Sequence, residues 1–100
     1  MLNVSLFDRV TEFINLLSEA EQLKIGKAIE AMSVGEFGSL YIKTIKGPIK
    51  ELIIRKSRIL FCIENGTIYY LNAFIKKSAK TPIKEIEIAK KKLALIPLIK

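Results

Sequence analysis

Arg58-Ile-Leu-Phe-Cys-Ile-Glu-Asn-Gly-Thr-Ile-Tyr-Tyr-Leu-Asn-Ala-Phe-Ile75 decides how this chain folds. Two apolar runs, residues 58–63 and 67–75, flank Glu64-Asn65-Gly66. Asn-Gly is the strongest short hairpin signal, because the turns that match strand twist need positive φ, which these residues tolerate. Two further runs, residues 40–45 and 49–55, precede the hairpin, separated by Lys46-Gly47-Pro48 and Lys56-Ser57. Three hairpin connections in a row predict an antiparallel four-strand meander. The strands are apolar on both faces, so another element must cover one of them.

The cover is expected from the N-terminal third. Leu6, Val10, Phe13, Ile14 and Leu17 recur at helical spacing over residues 6–17. Ser18-Glu-Ala-Glu21 then reads as a capping box, with each side chain reaching the other residue's amide. A second helix follows over Glu19–Ser33, burying Ile25, Ala28, Ile29 and Met32, and Gly35 and Gly38 end it. Helices joined so tightly form an antiparallel hairpin. A third helix opens at Thr81-Pro82, with Thr81 as N-cap and Pro82 at the first helical position. Ile83, Ile86, Ala89 and Leu93 share one side of it, and Glu87 and Lys91 are spaced to pair. The lysine triplet 90–92 reads as charge near the helix C-terminus, and Pro97 limits continuation, leaving residues 98–100 as a tail. The fold class is α+β: a helical hairpin on a four-strand antiparallel sheet with a C-terminal helix, in one domain over residues 1–100.

Composition narrows the chemistry. There is no histidine and one cysteine, Cys62, inside an apolar run. That pair of facts argues against a zinc site and against a cysteine nucleophile activated by an imidazole. No cofactor or metal is expected. Asp8 interrupts the N-terminus before a signal-like apolar segment forms, and no apolar run reaches membrane-spanning length. A cytoplasmic protein with no membrane partner is the expectation.

The net charge is +7, and it is unevenly placed. Residues 1–50 balance six basic against six acidic side chains, whereas residues 51–100 carry eleven against four. A basic half on a neutral half fits either a polyanion-binding face or a solvated basic surface. The densest part is Phe74-Ile-Lys-Lys-Ser-Ala-Lys-Thr-Pro82, a polar loop holding Lys76, Lys77 and Lys80 between the last strand and the last helix. Fixed positive charge on the rim of a sheet favours a phosphate-bearing partner.

Ile49-Lys-Glu-Leu52, Ser57-Arg-Ile-Leu-Phe61 and residues 68–93 together resemble the phage-derived branch of the RelE/HigB toxins. Members of that branch read x-E-L-R, then Y-R-x-x-Y/F, then L-x-x-F-x-K-K-T-x-K-T-P-x-x-E-I-x-x-A. The likeness spans roughly residues 47–93. It implies a microbial-RNase-like α+β fold and the toxin half of a type II toxin–antitoxin pair. The implied activity is ribosome-dependent, metal-independent cleavage of mRNA, by attack of the ribose 2′-hydroxyl on its own phosphate. The implied partners are mRNA on the ribosome and a cognate antitoxin protein, giving a toxin–antitoxin hetero-oligomer. On this resemblance Arg58 is the phosphate clamp, and Lys76 and Lys77 act beside it as catalytic cations. Such side chains stabilise charge gathering on the nonbridging oxygens. Arg55, Lys56, Lys80 and Tyr70 complete the expected RNA contacts.

The chain departs from the pattern in places. The family's Glu-Leu-Arg is Glu51-Leu-Ile53 here, so one arginine is missing, and Arg55, two residues on, is placed to substitute on the same strand face. The tyrosine before the strand arginine is Ser57. No histidine or aspartate fills an acid/base position, which leaves Glu51 as a candidate base provided it faces the groove; otherwise it pairs with a nearby cation. Tyr69 and Tyr70 lie on opposite strand faces, one available to stack on a base and the other for the core. Residues 1–5 are short for the N-terminal strand of the family, so that strand is expected to be vestigial or absent and its sheet edge bare. Two other functions stay open: a ParE-like gyrase poison, and a degenerate toxin that binds antitoxin or RNA without cutting.

Overall fold

The computed structural model describes residues 1–99. In chain order the elements are β1 (Asn3–Leu6), α1 (Asp8–Asn15), α2 (Glu19–Ser33), β2 (Tyr41–Lys46), β3 (Ile49–Ile54), β4 (Ser57–Glu64), β5 (Thr67–Ile75) and α3 (Ile83–Ile99). The meander forms as its turns dictate. Asn65 and Gly66 both take positive φ, 48° and 79°, and close the β4–β5 hairpin. The expected capping box at the start of α2 is also present: the Glu21 amide donates to Ser18 Oγ at 3.3 Å, and the Ser18 amide to Glu21 Oε1 at 3.4 Å. Gly35, at φ 80°, ends α2, and the Glu36 amide reaches back to the Ala31 carbonyl at 2.9 Å, as in a Schellman motif.

Several expectations are corrected. The sheet has five strands, in the order β1-β5-β4-β3-β2. β1 exists and runs parallel to β5, pairing Asn3 with Thr67 through Leu6 with Tyr70. The N-terminal edge of the meander is therefore covered along the first half of β5. The Asn3 amide donates to the Gly66 carbonyl at 2.9 Å and the Phe7 amide to the Tyr70 carbonyl at 3.1 Å, bracketing the pairing. Helix placement differs as well. α1 and α2 cover one sheet face, where Val10, Ile25, Ala28 and Met32 meet Leu52, Ile59, Phe61, Ile68 and Tyr70. α3 covers part of the opposite face, packing Ala89 and Ile96 on Ile49, Leu60, Cys62, Tyr69 and Leu71. The sheet is a middle layer, which is why its strands are apolar on both sides.

α3 also starts and ends differently. The Glu85 and Ile86 amides donate to the Pro82 carbonyl at 3.0 and 3.2 Å, so Pro82 caps the helix and Thr81 lies one residue outside it. The helix continues through Pro97 to Ile99. A proline removes one backbone donor, but the fully buried Ile96 holds the preceding turn against the sheet. Glu87 pairs with Lys90 at 3.4 Å rather than with Lys91. Lys92 sits 5.8 Å from the centre of the Phe7 ring.

One irregularity sets the geometry of everything downstream. Leu60 is paired with Asn72 but Phe61 with Tyr70, so Leu71 is an extra residue on β5. This bulge lets Leu71 and Asn72 both serve the α3 face. Beyond it the alternation is reset: Ala73 joins the α1–α2 core, and Phe74 lies opposite Arg58 on the α3 side.

Candidate functional site

α3 does not reach the end of the sheet where β3 turns into β4. There, on the α3 side, one cavity of about 50 Å³ opens between the sheet and the loop that joins β5 to α3. Its sheet wall is Glu51 and Ile53 of β3, Arg58 of β4, Phe74 of β5 and Lys43 of β2. Its loop wall is Lys76 together with Ser78, Ala79, Lys80 and Thr81. Strand period explains the selection: Glu51 lies opposite Leu60, Ile53 opposite Arg58, and Arg58 opposite Phe74, all on one face.

Arg58 is 8% exposed. A guanidinium so buried needs fixed hydrogen-bond acceptors, and its Nη1 donates to the carbonyls of Arg55 at 2.6 Å and Ser57 at 3.0 Å. One acceptor lies in the β3–β4 turn, where Arg55 has φ 55°, and the other on the first residue of β4. No buried side-chain nitrogen or oxygen among the described residues lacks a hydrogen-bond partner, so the remaining donors of Arg58 are accessible, and Arg58 lines both this cavity and the groove next to it. Glu51 is 3% exposed and accepts the Thr81 hydroxyl at 2.7 Å. It faces the cavity and is tied to the loop rather than to a neighbouring cation.

The lining holds four cations, Lys43, Arg58, Lys76 and Lys80, and one carboxylate, Glu51. The volume takes a few water-sized groups, on the scale of a single phosphate. The pattern suits a small anion: one rigid fork at the floor and flexible ammonium groups at the rim.

The structure brings together some of the expected residues and separates others. Arg58, Lys76 and Lys80 line the cavity. Lys77 is exposed and points along an adjoining groove shared by Arg55, Lys56, Arg58 and Lys76. Arg55 is not on the strand face of Ile53; it sits in the turn, and its carbonyl anchors Arg58. The reason is local: β3 ends at Ile54, and the tight connection to Ser57 breaks the strand alternation. Tyr70 is fully buried on the opposite face, its hydroxyl donating to Met32 Sδ at 3.2 Å. Burial pushes its phenol well above the usual range. Tyr70 is core, not a stacking platform, and Tyr69, 7% exposed, packs under α3. Lys43 is the residue that sequence reasoning missed. A bulge between Thr44 and Lys46 places it opposite Glu51, where it adds charge beside Ile53, the position lacking the family's arginine.

Residues 12–94 match the family described as Phage derived protein Gp49-like. The chain belongs to that family. A chain of the RelB-RelE antitoxin-toxin complex from Methanococcus jannaschii shares its fold, with a TM-score of 0.62 and 16% identity over 71% of this chain and 88% of that one. A copper-bound mutant toxin from Helicobacter pylori gives a TM-score of 0.57 and 14% identity over 75% and 94%. Comparison with curated proteins gives no significant match. The resemblance to RelE-like toxins, first carried by the strand arginine and the lysine loop, is thereby borne out in family and fold. Among the described residues no helix is long and apolar enough to cross a membrane. None of them forms a group of three or more His, Cys, Asp or Glu suited to a metal ion.

Proposed function

We propose that this Gp49-like protein is the toxin of a toxin–antitoxin pair and that it cleaves mRNA on the ribosome. The observation that carries the reading is the buried Arg58, fixed by two carbonyls and facing a phosphate-sized cavity rimmed by Lys43, Lys76 and Lys80. Arg58 and Lys76 hold the scissile phosphate and offset the charge that builds on it. Lys77 and Lys56, on the adjoining groove, meet the next phosphate along the strand. Glu51, the one carboxylate in the cavity lining, takes the 2′-hydroxyl proton. Family membership and the RelE-like fold support the toxin role, and the basic face supports an acidic stretch of an antitoxin as its cover.

Induced expression followed by mapping of transcript 5′ ends tests this. New ends inside translated codons, absent in Arg58→Ala and Glu51→Gln, are the expected result. Supercoiling defects with intact transcripts would instead identify a gyrase poison. Retained RNA binding without new ends would identify a toxin that no longer cuts.

A further inference from the structure

A second groove, of about 370 Å³, lies between α1, the end of β5 and the start of α3. Lys77 lines both it and the groove that leads from Arg58. Phe13, Phe74, Ala73 and Pro82 give it apolar walls, and Arg9 and Glu85 give it one polar edge. We propose that this groove is a base-binding subsite that takes a guanine of the strand whose phosphates lie at Arg58 and Lys77. The proposal rests on the RNA reading above and extends it from phosphate to base.

The polar edge is built by a buried residue. Asn72 has no exposed surface and spends its whole amide on this edge. Its Oδ1 accepts from Arg9 Nε at 2.9 Å, and its Nδ2 donates to the Glu85 carbonyl at 3.0 Å and to Glu85 Oε1 at 2.9 Å. Arg9 Nη2 and Glu85 Oε1 stand 3.9 Å apart, beyond hydrogen-bond length. The two form a long ion pair without a hydrogen bond between them. Here the asparagine holds the guanidinium and the carboxylate side by side, and no hydrogen bond within the described residues engages the two terminal nitrogens of Arg9 or Glu85 Oε2.

A donor fork beside a carboxylate is complementary to one base edge above the others. Guanine presents an acceptor, O6, next to two adjacent donors, N1–H and N2–H₂. The carboxylate can take both donors while the arginine meets O6. Adenine, cytosine and uracil each offer the carboxylate a single donor on that edge. The aromatic and proline walls suit the faces of an unstacked base, the form in which single-stranded RNA is read.

The test is fluorescence anisotropy with four uncleavable 2′-O-methyl hexamers, uridine throughout except for one central G, A, C or U. The wild-type protein should bind the G hexamer about tenfold more tightly than the all-U hexamer. Glu85→Gln should abolish that preference, bringing the G hexamer down to the level of the all-U hexamer. Arg9→Lys, which keeps the charge but loses the planar fork, should do the same. Arg58→Ala should weaken all four hexamers equally. Retention of the G preference in Glu85→Gln, or equal binding of all four by wild type, overturns the base subsite and leaves the phosphate site standing. A uniform fall across the four hexamers in both variants makes the Arg9–Asn72–Glu85 edge a structural brace and also overturns it. Failure of wild type to bind any hexamer overturns the base subsite, and the RNA reading itself stands or falls on the mapping of transcript 5′ ends.

Discussion

The Thr81 hydroxyl donates to Glu51 Oε2 at 2.7 Å and ties the end of the lysine loop to the middle of β3. Glu51 is nearly buried, and this is the hydrogen bond its carboxylate makes with a side chain of the loop. The loop itself, residues 76–80, is exposed and carries one internal side-chain bond, from Ser78 to the Lys80 carbonyl. Its position over Arg58 therefore depends on its two ends: the Lys76 amide, which donates to the Lys56 carbonyl at 2.8 Å, and Thr81. Thr81→Val, which keeps the shape and removes the donor, should cost about 1–3 kcal/mol in urea unfolding by stranding a buried carboxylate. It should also speed amide exchange in residues 76–80. Thr81→Ser should restore both. Exchange in the loop at the wild-type rate would show that the tether does not hold it.

Arg58 separates charge from geometry. Arg58→Lys keeps the charge but loses the planar fork that is pinned by the Arg55 and Ser57 carbonyls. RNA affinity should fall in both Arg58→Lys and Arg58→Ala, with Arg58→Ala losing about 1.5–3 kcal/mol, the worth of a charge-assisted hydrogen bond. Toxicity on induced expression should be lost in both. Full toxicity of Arg58→Lys would mean that a point charge suffices.

Lys43 gives a second, independent handle. It is exposed on the edge strand, so Lys43→Ala should change stability by no more than about 0.5 kcal/mol. If it meets a phosphate, the slope of log affinity against log salt should become shallower by about 0.7 for single-stranded RNA. An unchanged slope would remove Lys43 from the site.

Tyr70 predicts an alkaline limit to stability. Burial raises its folded-state pKa above the unfolded value of 10.0. The unfolded chain then releases the phenol proton first, so the contribution is fully present below pH 10 and is lost as pH rises beyond it. Urea midpoints should fall above about pH 10, and less steeply in Tyr70→Phe. Absorbance of tyrosinate should show one residue that ionises only as the protein unfolds.

Much of the architecture was legible because it is local. Asn65-Gly66, the Ser18–Glu21 box and Gly35 each act within a few residues, and the elements they delimit formed as read. β1 was not legible: four residues give no periodicity, and its partner β5 lies far along the chain and pairs with it in parallel. Helix placement was missed because apolar strands reveal that both faces are covered but not by what. At the site, Arg58 and the lysine loop were readable from their order and chemistry. Arg55 and Lys43 were not, because a tight turn without glycine and an edge-strand bulge each break the two-residue period. Tyr70 could be assigned only from which face α1 and α2 occupy.

The extra residue on β5 acts as a phase selector. Up to Leu71, odd-numbered side chains face α3; after it, even-numbered ones do, and that is how Phe74 and Lys76, rather than Lys77, come to border the Arg58 cavity. The two adjacent lysines are chemically identical, so composition does not distinguish them. Deleting Leu71 would leave Tyr70 and Asn72 in regular alternation and keep Phe74 and Lys76 toward the cavity, whereas flattening the bulge with Leu71 kept would exchange the two lysines with no change in charge. Which lysine borders the cavity is thus set ahead of the loop, by the bulged pairing register of a strand.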